Sequence, residues 1–335
     1  MAITQWALNW DRGTLVVQSL GAMIMPRFDL PDGRSISPLA TPPWRSEPPT
    51  PGIPQGLQHM WGEWPCVPFG LAEPRLKVAP RWREVCHDRP DGPLHGPGSN
   101  EEWQLIDRGP AHLTLRIDYP AKHPIAWLER RLSVTNGLAA VDCDLSIMPR
   151  QDVALPIAFH PVVRLPSTPR SVRLRPGNFR FGLTGPYLIA PGGSVAGLDR
   201  RFTDLANITT ETGRRVDLSC YPLEGRFEDV LQLVGTSGRM LIDNLEERYT
   251  LEVAWDPAVF PSCLVWISNA GITTPPWNSR HYAVGIEPAC SAFDIGNQGS
   301  AEENPINREG ERTCISFQSN QLWRTRYRLS IEALA

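Results

Sequence analysis

The 335-residue sequence lacks the short motifs that hold nucleotides, dinucleotides and catalytic metals. It contains no G-x-G-x-x-G, no G-x-x-x-x-G-K-[ST] and no H-E-x-x-H. The G-x-S-x-G turn that carries the nucleophile of lipase-type enzymes is also missing. These absences argue against nucleotide, zinc-protease and lipase chemistry. They leave acid–base chemistry on histidine and carboxylate side chains as the expectation, with no cofactor and no metal.

Charge of one sign, long apolar runs and paired cysteines are equally sparse. The net charge is −3 with both signs interspersed, so we expect neither nucleic acid nor a membrane surface as partner. The apolar run at residues 15–25 contains Gln18 and Ser19 and is too short to span a bilayer. Residues 1–10 do not resemble a signal peptide. Seven cysteines without a C-x-x-C pair predict reduced thiols, and the cytoplasm is the expected location.

Amphipathic helical stripes are absent, whereas period-two alternation recurs along the chain. Apolar residues alternate with polar ones in four segments, which begin near residues 113, 141, 251 and 323. The Asn136-Gly137 pair between two such runs predicts a tight hairpin, because these residues tolerate positive φ. The 34 prolines favour short strands joined by ordered loops. The pattern predicts an all-β fold, a large antiparallel β-sandwich.

Two polar or proline-rich stretches are predicted to be loops. Residues 38–54 hold seven prolines and are expected to form a long ordered rim loop. A linker between domains is the alternative, but the part before it is too short for a domain. Residues 297–312 are expected to form a surface loop before the last two strands. We therefore predict a single domain over residues 1–335.

Three ionisable residues follow apolar or glycine-rich segments that would desolvate them. Glu287 follows Ala283-Val284-Gly285-Ile286 and is predicted at a strand end that Pro288 terminates. Desolvation raises the pKa of a carboxyl group, which suits a general base near neutral pH. His160 ends the apolar run Ala154 to Phe159, and His95 lies in a Gly/Pro-rich turn. Taken singly, each is also typical of a strand-end charge, a core histidine or a surface loop.

Considered in order, the segments resemble those of the aldose 1-epimerase (galactose mutarotase-like) family from about residue 15 to 330. The matching segments are SLGAMI (19–24) with DGR (32–34), WGEWPCVPFG (61–70), LHGPGSNEEW (94–103), FHPVVRLP (159–166), LEVAWDPAVFPSCLVWISN (251–269) and GIEPACSAFD (285–294). The resemblance implies a galactose mutarotase-like sandwich and an isomerase that interconverts the α and β anomers of an aldose. Glu287 would be the general base, His160 the general acid, and His95 would hold and polarise sugar oxygens. Glu287 ionised and His160 protonated would attract each other as a charged pair.

Four further residues are candidates for binding the sugar, Asp229 through the same resemblance and the others through their chemistry. Asp229 would contact ring hydroxyls, and Arg75 would contact the substrate. Trp103 and Trp266 would offer flat apolar faces to a sugar ring. The expected partner is a small-molecule sugar, and the chain is expected to be a monomer or a homodimer. The arginine that the family carries after its first histidine is absent here, which leaves the choice of sugar open.

Three alternatives remain at this point. The first is a non-catalytic carbohydrate-binding protein on the same sandwich. The second is a carbohydrate-cleaving lyase or hydrolase, although a typical hydrolase needs two carboxylates at the scissile bond. The third concerns the substrate, which could be a phosphorylated or sulfonated sugar held by arginines. The candidate arginines for such an anion clamp are Arg75, Arg81, Arg83, Arg164 and Arg280.

Overall fold

The computed structural model describes residues 3–191 and 193–334, so positions 1, 2, 192 and 335 of the predicted domain lie outside the described residues. Strands dominate, as predicted. In chain order they are β1 (Gln5–Trp10), β2 (Gly13–Gln18), β3 (Ile24–Asp29), β4 (Ser35–Ile36), β5 (Pro65–Cys66), β6 (Gln104–Gly109), β7 (His112–Asp118), β8 (Ile125–Val134), β9 (Ala140–Pro149), β10 (Val153–Leu155), β11 (Ile157–Phe159), β12 (Val162–Arg164), β13 (Val172–Pro176), β14 (Phe181–Thr184), β15 (Arg201–Phe202), β16 (Ile208–Thr209), β17 (Arg215–Val216), β18 (Cys220–Tyr221), β19 (Phe227–Val234), β20 (Arg239–Asn244), β21 (Tyr249–Trp255), β22 (Ser262–Asn269), β23 (Tyr282–Cys290), β24 (Ile315–Phe317) and β25 (Trp323–Ala333).

Helical structure is confined to short turns. The α-helices are α1 (Gln55–Gln58), α2 (Pro97–Asn100) and α3 (Gly296–Ala301), and the 3₁₀ helices are Pro80–Trp82 and Asn307–Glu309. In the described part of the chain, no helix is long and apolar enough to cross a membrane.

Two large antiparallel sheets form the body of the protein. The nine-stranded sheet has the order β18-β13-β20-β21-β25-β9-β8-β7-β6. The eight-stranded sheet has the order β15-β14-β19-β22-β23-β11-β5, and β12 also pairs with β23. A four-stranded sheet, β1 to β4 in sequential order, adjoins them. The predicted all-β sandwich is therefore confirmed.

The main hydrophobic core lies between the two large sheets. In β9, Val141, Cys143, Leu145 and Ile147 are fully buried, and the polar residues between them are partly exposed. Alternate residues of the eight-stranded sheet, such as Val265, belong to the same cluster. Because successive side chains of a strand point to opposite faces, the residues between these ones belong to the other face of the eight-stranded sheet.

That other face carries a second apolar cluster. Leu264 and Ala289 of the sheet pack there with Trp44 and Trp64, which come from the segment at residues 40–85. The sheet is thus covered on both faces, by the opposite sheet on one side and by long loops on the other. This second layer is where a cavity can form between sheet and loops.

The predicted loops are only partly as expected. Residues 38–54 form a strand-free segment, and its Trp44 is fully buried against the sheet. The hairpin at Asn136-Gly137 exists, but its connection runs over residues 135–139 and is longer than a two-residue turn. Residues 297–312 are not a plain surface loop. They include short helices. The side chain of buried Asn304 also forms hydrogen bonds with the backbone there, and its Oδ1 accepts from the N–H of Ile306 at 3.1 Å.

The strand that carries Glu287 also differs from its prediction. Pro288 does not terminate it, because β23 continues to Cys290 and Pro288 pairs in register with Cys263 of β22. On its other side, β23 pairs with β11 and with β12, and Pro288 falls opposite the interruption between them. A proline is tolerated there because no ladder hydrogen bond requires its missing N–H. Glu287 is therefore an interior residue of the strand.

Candidate active site

A cavity of about 310 Å³ lies between the loop-covered face of the eight-stranded sheet and the loops above it. Its wall is mostly apolar and aromatic, with a few ionisable side chains. The ionisable side chains of the wall are Glu73, Arg75, His95, His160, Glu287 and Asp294. The mixture is typical of small-molecule sites, in which a few polar groups orient a ligand within an apolar pocket.

Glu287 reaches the cavity from the centre of β23. Its neighbours Ile286 and Val284 face the inter-sheet core, so the alternation of the strand turns Glu287 to the cavity. Gly285 lies on the same face and leaves room for the carboxyl group. A Cβ atom at position 285 would come within 2.6 Å of Glu287 Oε1.

His160 reaches the same cavity from the short connection between β11 and β12. Its backbone N–H donates to Trp64 O at 2.9 Å, and its ring stacks on the Trp64 indole with centroids 4.3 Å apart. The Nε2 atom lies 3.4 Å from Glu287 Oε1. Its Nδ1 atom is buried without a hydrogen-bond partner. The two candidate catalytic side chains, from separate β-segments, therefore face each other.

The charge states of this pair differ from the expectation. Burial raises the pKa of Glu287 well above its usual value. Burial also lowers the pKa of His160 well below its usual value, and neighbouring His95 adds to this. Both shifts favour the neutral forms, so the predicted ion pair is not the favoured state of the protein alone. The physical reason is desolvation, which is the only cause of the shift at Glu287 and the largest cause at His160.

His95 is the third member of the group. It has a left-handed backbone (φ 58°), and its Nδ1 accepts the Gly70 N–H at 3.2 Å. The Nε2 atom therefore carries the proton of the neutral ring and can donate. Burial lowers the pKa of His95 to about 4, so the ring is neutral at physiological pH. Its centroid lies 5.2 Å from that of His160, in an edge-to-face arrangement.

Arg75 and Trp266 also line the cavity, as their predicted roles require. The Trp266 ring lies 6.0 Å from the His160 ring, and its Nε1–H donates to Glu228 at 3.1 Å. Arg75 contacts Asp294, with 3.3 Å between Nη1 and Oδ2. Of the predicted site residues, the structure thus brings together Glu287, His160, His95, Arg75 and Trp266.

The structure places the other two predicted binding residues outside the cavity. Asp229 alternates with cavity-lining Val230 on β19, and its carboxylate accepts from Ser194 and from the Val195 N–H at 3.0 Å. Trp103 is buried in the inter-sheet core, where its Nε1–H donates to Gly98 O at 2.8 Å. It supports the turn that follows His95, and its ring does not line the cavity wall.

The remaining arginines of the proposed anion clamp do not line the cavity. None of them is among its lining residues in the described part of the chain. Arg81 pairs with Asp199, Arg164 with Glu247 and Arg280 with Glu47, and Arg83 is exposed.

Several residues of the site were not anticipated from the sequence. Glu73 and Asp294 line the cavity beside Arg75. Glu228 accepts the hydrogen bond from the indole N–H of Trp266. Burial raises the pKa of Glu228 to about 8. Asp294 ends one of the segments that carried the family resemblance, and this was the available signal. The sequence showed no comparable signal for Glu228, because every residue of β19 is buried and the strand shows no alternation.

Among the described residues, no group of three or more His, Cys, Asp or Glu side chains converges as metal ligands do.

Comparison by sequence finds no matching family model and no matching curated protein. Comparison by structure does find proteins of similar fold. A candidate aldose 1-epimerase from Escherichia coli K12 has a TM-score of 0.66 at 15% identity, covering 99% of this chain and 100% of that one. A GalM/aldose epimerase homologue from C. elegans has a TM-score of 0.61 at 12% identity, covering 100% of both chains. A galactose mutarotase-like protein from Lactobacillus casei has a TM-score of 0.59 at 11% identity, covering 98% and 100%.

These similarities extend over nearly the whole chain at low sequence identity. They show that the chain has the galactose mutarotase-like fold, so the resemblance stated from the ordered segments is confirmed at the level of the fold.

Proposed function

We propose that this protein is a mutarotase, an isomerase that interconverts the α and β anomers of an aldose. The observation that carries the proposal is the apposition of His160 Nε2 and Glu287 Oε1 at 3.4 Å in one cavity. An acid and a base that act on neighbouring oxygens of one sugar need this proximity. The fold, which is shared with proteins described as aldose epimerases and mutarotases, supports the same proposal.

The chemistry requires one proton to be taken up while another is given. Glu287 removes the proton from the O1 hydroxyl, and His160 gives a proton to the ring oxygen. The electron pair left on O1 forms the carbonyl, and the bond between C1 and the ring oxygen breaks. Rotation about C1–C2 and reclosure with the proton roles reversed produce the other anomer. No net charge, electron or group is transferred.

The protonation of the pair is compatible with this cycle. A neutral Glu287 beside a neutral His160 carries the same number of protons as an ionised Glu287 beside a protonated His160, because one proton moves from the carboxyl group to the imidazole. The two states differ only in which group carries that proton. A sugar hydroxyl that donates to the carboxylate favours the ionised form of Glu287, because a hydrogen bond to the charged form lowers a pKa. We therefore assign the base to Glu287 and the acid to His160, with His95 Nε2–H donating to a sugar oxygen.

The geometry favours catalysis over simple sugar binding. A binding protein needs hydrogen-bond partners and aromatic faces but has no use for two buried ionisable groups in contact. Burying such groups costs free energy, and strongly shifted pKa values cluster at functional sites. A hydrolase is also less favoured, because the other two cavity carboxylates, Glu73 and Asp294, already pair with Arg75.

The test is the substitution Glu287→Gln. It preserves the size of the side chain and removes the basic oxygen, so we expect the fold and sugar binding to persist. Anomer exchange, measured by NMR on the purified proteins, should fall at least 100-fold, as expected for a lost general base. Glu303→Gln, at an exposed surface pair with Arg308, is the control and should exchange like the parent. If Glu287→Gln stays within about threefold of the parent, Glu287 is not the base.

A further inference from the structure

Trp266 presents its ring to the cavity from the middle of β22. It lines the cavity wall, and its ring lies edge-to-face with that of His160, with centroids 6.0 Å apart. In the strand register Trp266 lies opposite Gly285 of β23, which has no side chain to crowd it. An aromatic ring at this place can offer an apolar face to a sugar that is held at the catalytic pair.

The indole N–H of Trp266 is held by a buried carboxyl group. Nε1 donates to Glu228 Oε2 at 3.1 Å, so this edge of the ring is already occupied within the protein. Glu228 is only 1% exposed, and burial raises its pKa to about 8. The backbone N–H groups of Gly271 and Ile272 oppose this rise, because they stabilise the ionised carboxylate. Ile272 also lines the cavity, so Glu228 connects two parts of one wall.

The face of the Trp266 ring is held by the same set of contacts. The His281 ring stacks on it with centroids 5.6 Å apart and 23° between the planes. His281 Nδ1 lies 2.9 Å from Ser268 Oγ, and Ser268 Oγ lies 2.8 Å from Glu228 Oε1. In the register of β19 and β22, Ser268 is the direct partner of Glu228. The contacts therefore close into a ring, and we call the three members other than Trp266 the supporting group: Glu228, Ser268 and His281.

The supporting group keeps its hydrogen bonds in either charge state of Glu228. Burial lowers the pKa of His281 to about 4, so its ring is neutral. When Glu228 is ionised, Ser268 donates to Oε1 and accepts from His281 Nδ1–H. When Glu228 is neutral, its acid proton goes to Ser268 Oγ, and the Ser268 hydroxyl donates to His281 Nδ1. In both states Oε2 accepts from Trp266.

Building on the mutarotase activity proposed above, we infer that the supporting group positions Trp266 as a fixed platform for the sugar beside the catalytic pair. Its three members are not among the described residues that line the cavity, so they act through Trp266 and not on the substrate. A ring that is held at its edge and its face loses little freedom when the sugar binds. Such a platform strengthens the binding of substrate and transition state alike.

The first test removes the acceptor of the Trp266 N–H. Glu228→Met keeps the length of the side chain and cannot replace the carboxyl group. Anomer exchange is measured by NMR at pH 7 with the aldose that the parent exchanges fastest among D-glucose, D-galactose, D-mannose and D-xylose. We expect KM to rise about fivefold while kcat stays within about twofold, because uniform binding is lost and the catalytic pair is untouched. A lower kcat at unchanged KM would indicate a purely structural role and would overturn the inference.

The conservative variant Glu228→Gln should rescue binding. Its amide oxygen accepts from the Trp266 N–H, and its amide nitrogen donates to Ser268 Oγ, as the neutral acid does. We expect KM to stay within about twofold of the parent, as for the surface control Glu303→Gln. A glutamine variant as impaired as Glu228→Met would contradict the positioning role. Ser268→Ala is a second variant in case Glu228→Met does not fold. It breaks the link to His281 and should raise KM at least about twofold.

A double-mutant cycle shows whether Glu228 acts through Trp266. Trp266→Phe keeps an aromatic face but lacks the N–H that Glu228 holds. The double variant with Glu228→Met should therefore have the KM of Trp266→Phe alone, because the interaction that Glu228 supplies is already gone. Effects on KM that multiply would show that the two residues act independently, which would overturn the inference.

A spectroscopic readout separates this inference from the proposed function. The ¹H–¹⁵N NMR signal of the Trp266 indole N–H is assigned by its loss in Trp266→Phe, and it reports the contact with Glu228 without turnover. We expect the signal to move in Glu228→Met and to persist in Glu228→Gln. An unmoved signal, or an unchanged KM in Glu228→Met, overturns the inference and leaves the mutarotase proposal standing. Absence of exchange with every aldose of the panel overturns the proposed function, and the platform role falls with it.

Discussion

At the scale of single residues, burial determines the behaviour of the site. Glu287 and His160 are both enclosed by apolar and aromatic neighbours, and their pKa values shift in opposite directions, toward the neutral forms. Glu228 is shifted in the same direction as Glu287, to about 8. Glu287 and His160 therefore favour their neutral forms until a ligand supplies hydrogen bonds to an ionised form.

Glu228 gives a prediction at this scale, because its titration is linked to stability. Its pKa is about 8 in the folded protein and 4.5 in the ordinary case, so the folded state binds this proton more tightly. The stability that the neutral form contributes is complete below pH 4.5 and is lost as the pH rises to about 8. Glu228→Gln lacks this loss. Between pH 5 and 8 the unfolding free energy of the variant, relative to that of the parent, should increase by about 1.4 kcal/mol per pH unit.

Denaturant unfolding at four pH values between 5 and 8 measures this difference. Glu303→Gln, at an exposed side chain, should follow the pH dependence of the parent. Parallel pH dependences for Glu228→Gln and the parent would show that Glu228 is not held neutral in the folded protein.

At the scale of secondary-structure elements, β23 supplies both the carboxyl group and the space it occupies. Alternation along the strand puts Gly285 and Glu287 on the cavity face, next to Trp266 of β22. The neighbouring break between β11 and β12 brings His160 to the same place. A bulky residue at position 285 would fill the volume that the Glu287 carboxyl uses.

Gly285→Ala tests this arrangement. The added methyl would lie 2.6 Å from Glu287 Oε1 and 3.2 Å from Trp266 Cβ. The end of the glutamate side chain can swing away at little cost, so we expect a folded protein with a small change in Tm. The displaced carboxyl loses its apposition to His160, and kcat/KM for anomer exchange should fall at least tenfold. Unchanged kcat/KM would mean that the observed position of the carboxyl is not required.

At the scale of the whole molecule, a buried ion pair joins the cavity layer to the nine-stranded sheet. Arg130 of β8 and Glu63, next to cavity-lining Trp64, are both fully buried and paired. Arg130 also donates to Ala22 O at 2.7 Å and to Tyr327 Oη at 3.3 Å. Burial opposes the charges of both partners and raises the pKa of Glu63, while attraction to Glu63 raises the pKa of Arg130.

Arg130→Met should destabilise the protein by roughly 3–5 kcal/mol, because it leaves Glu63 buried without its partner. The double variant Glu63→Leu with Arg130→Met should recover most of that loss, since a well-packed apolar pair can replace a buried ion pair. Urea unfolding of the parent, the single variant and the double variant measures both effects. A double variant less stable than Arg130→Met would contradict this account of the pair.

Much of the fold could be predicted from local sequence, because strands with one solvent-exposed face alternate apolar and polar residues. Alternation in β7, β9, β21 and β25 indicated the sandwich, and the order of the loose motifs indicated the fold. Glu287, His160 and His95 were recognisable for a similar reason, since each follows a short apolar or glycine-rich run. These are properties of neighbours in the chain, and they can be read without knowing which strands pair.

Only the tertiary structure decided which side chains share the cavity and what charge they carry. β19 is buried on both faces, so its sequence could not show that Glu228 and Val230, rather than Asp229, belong to the cavity side. Arg75 meets Asp294 across 219 positions of sequence, and that contact neutralises the cation that the sequence offered to an anion. Strand register and burial set these outcomes, because desolvation and charge pairing depend on neighbours in space.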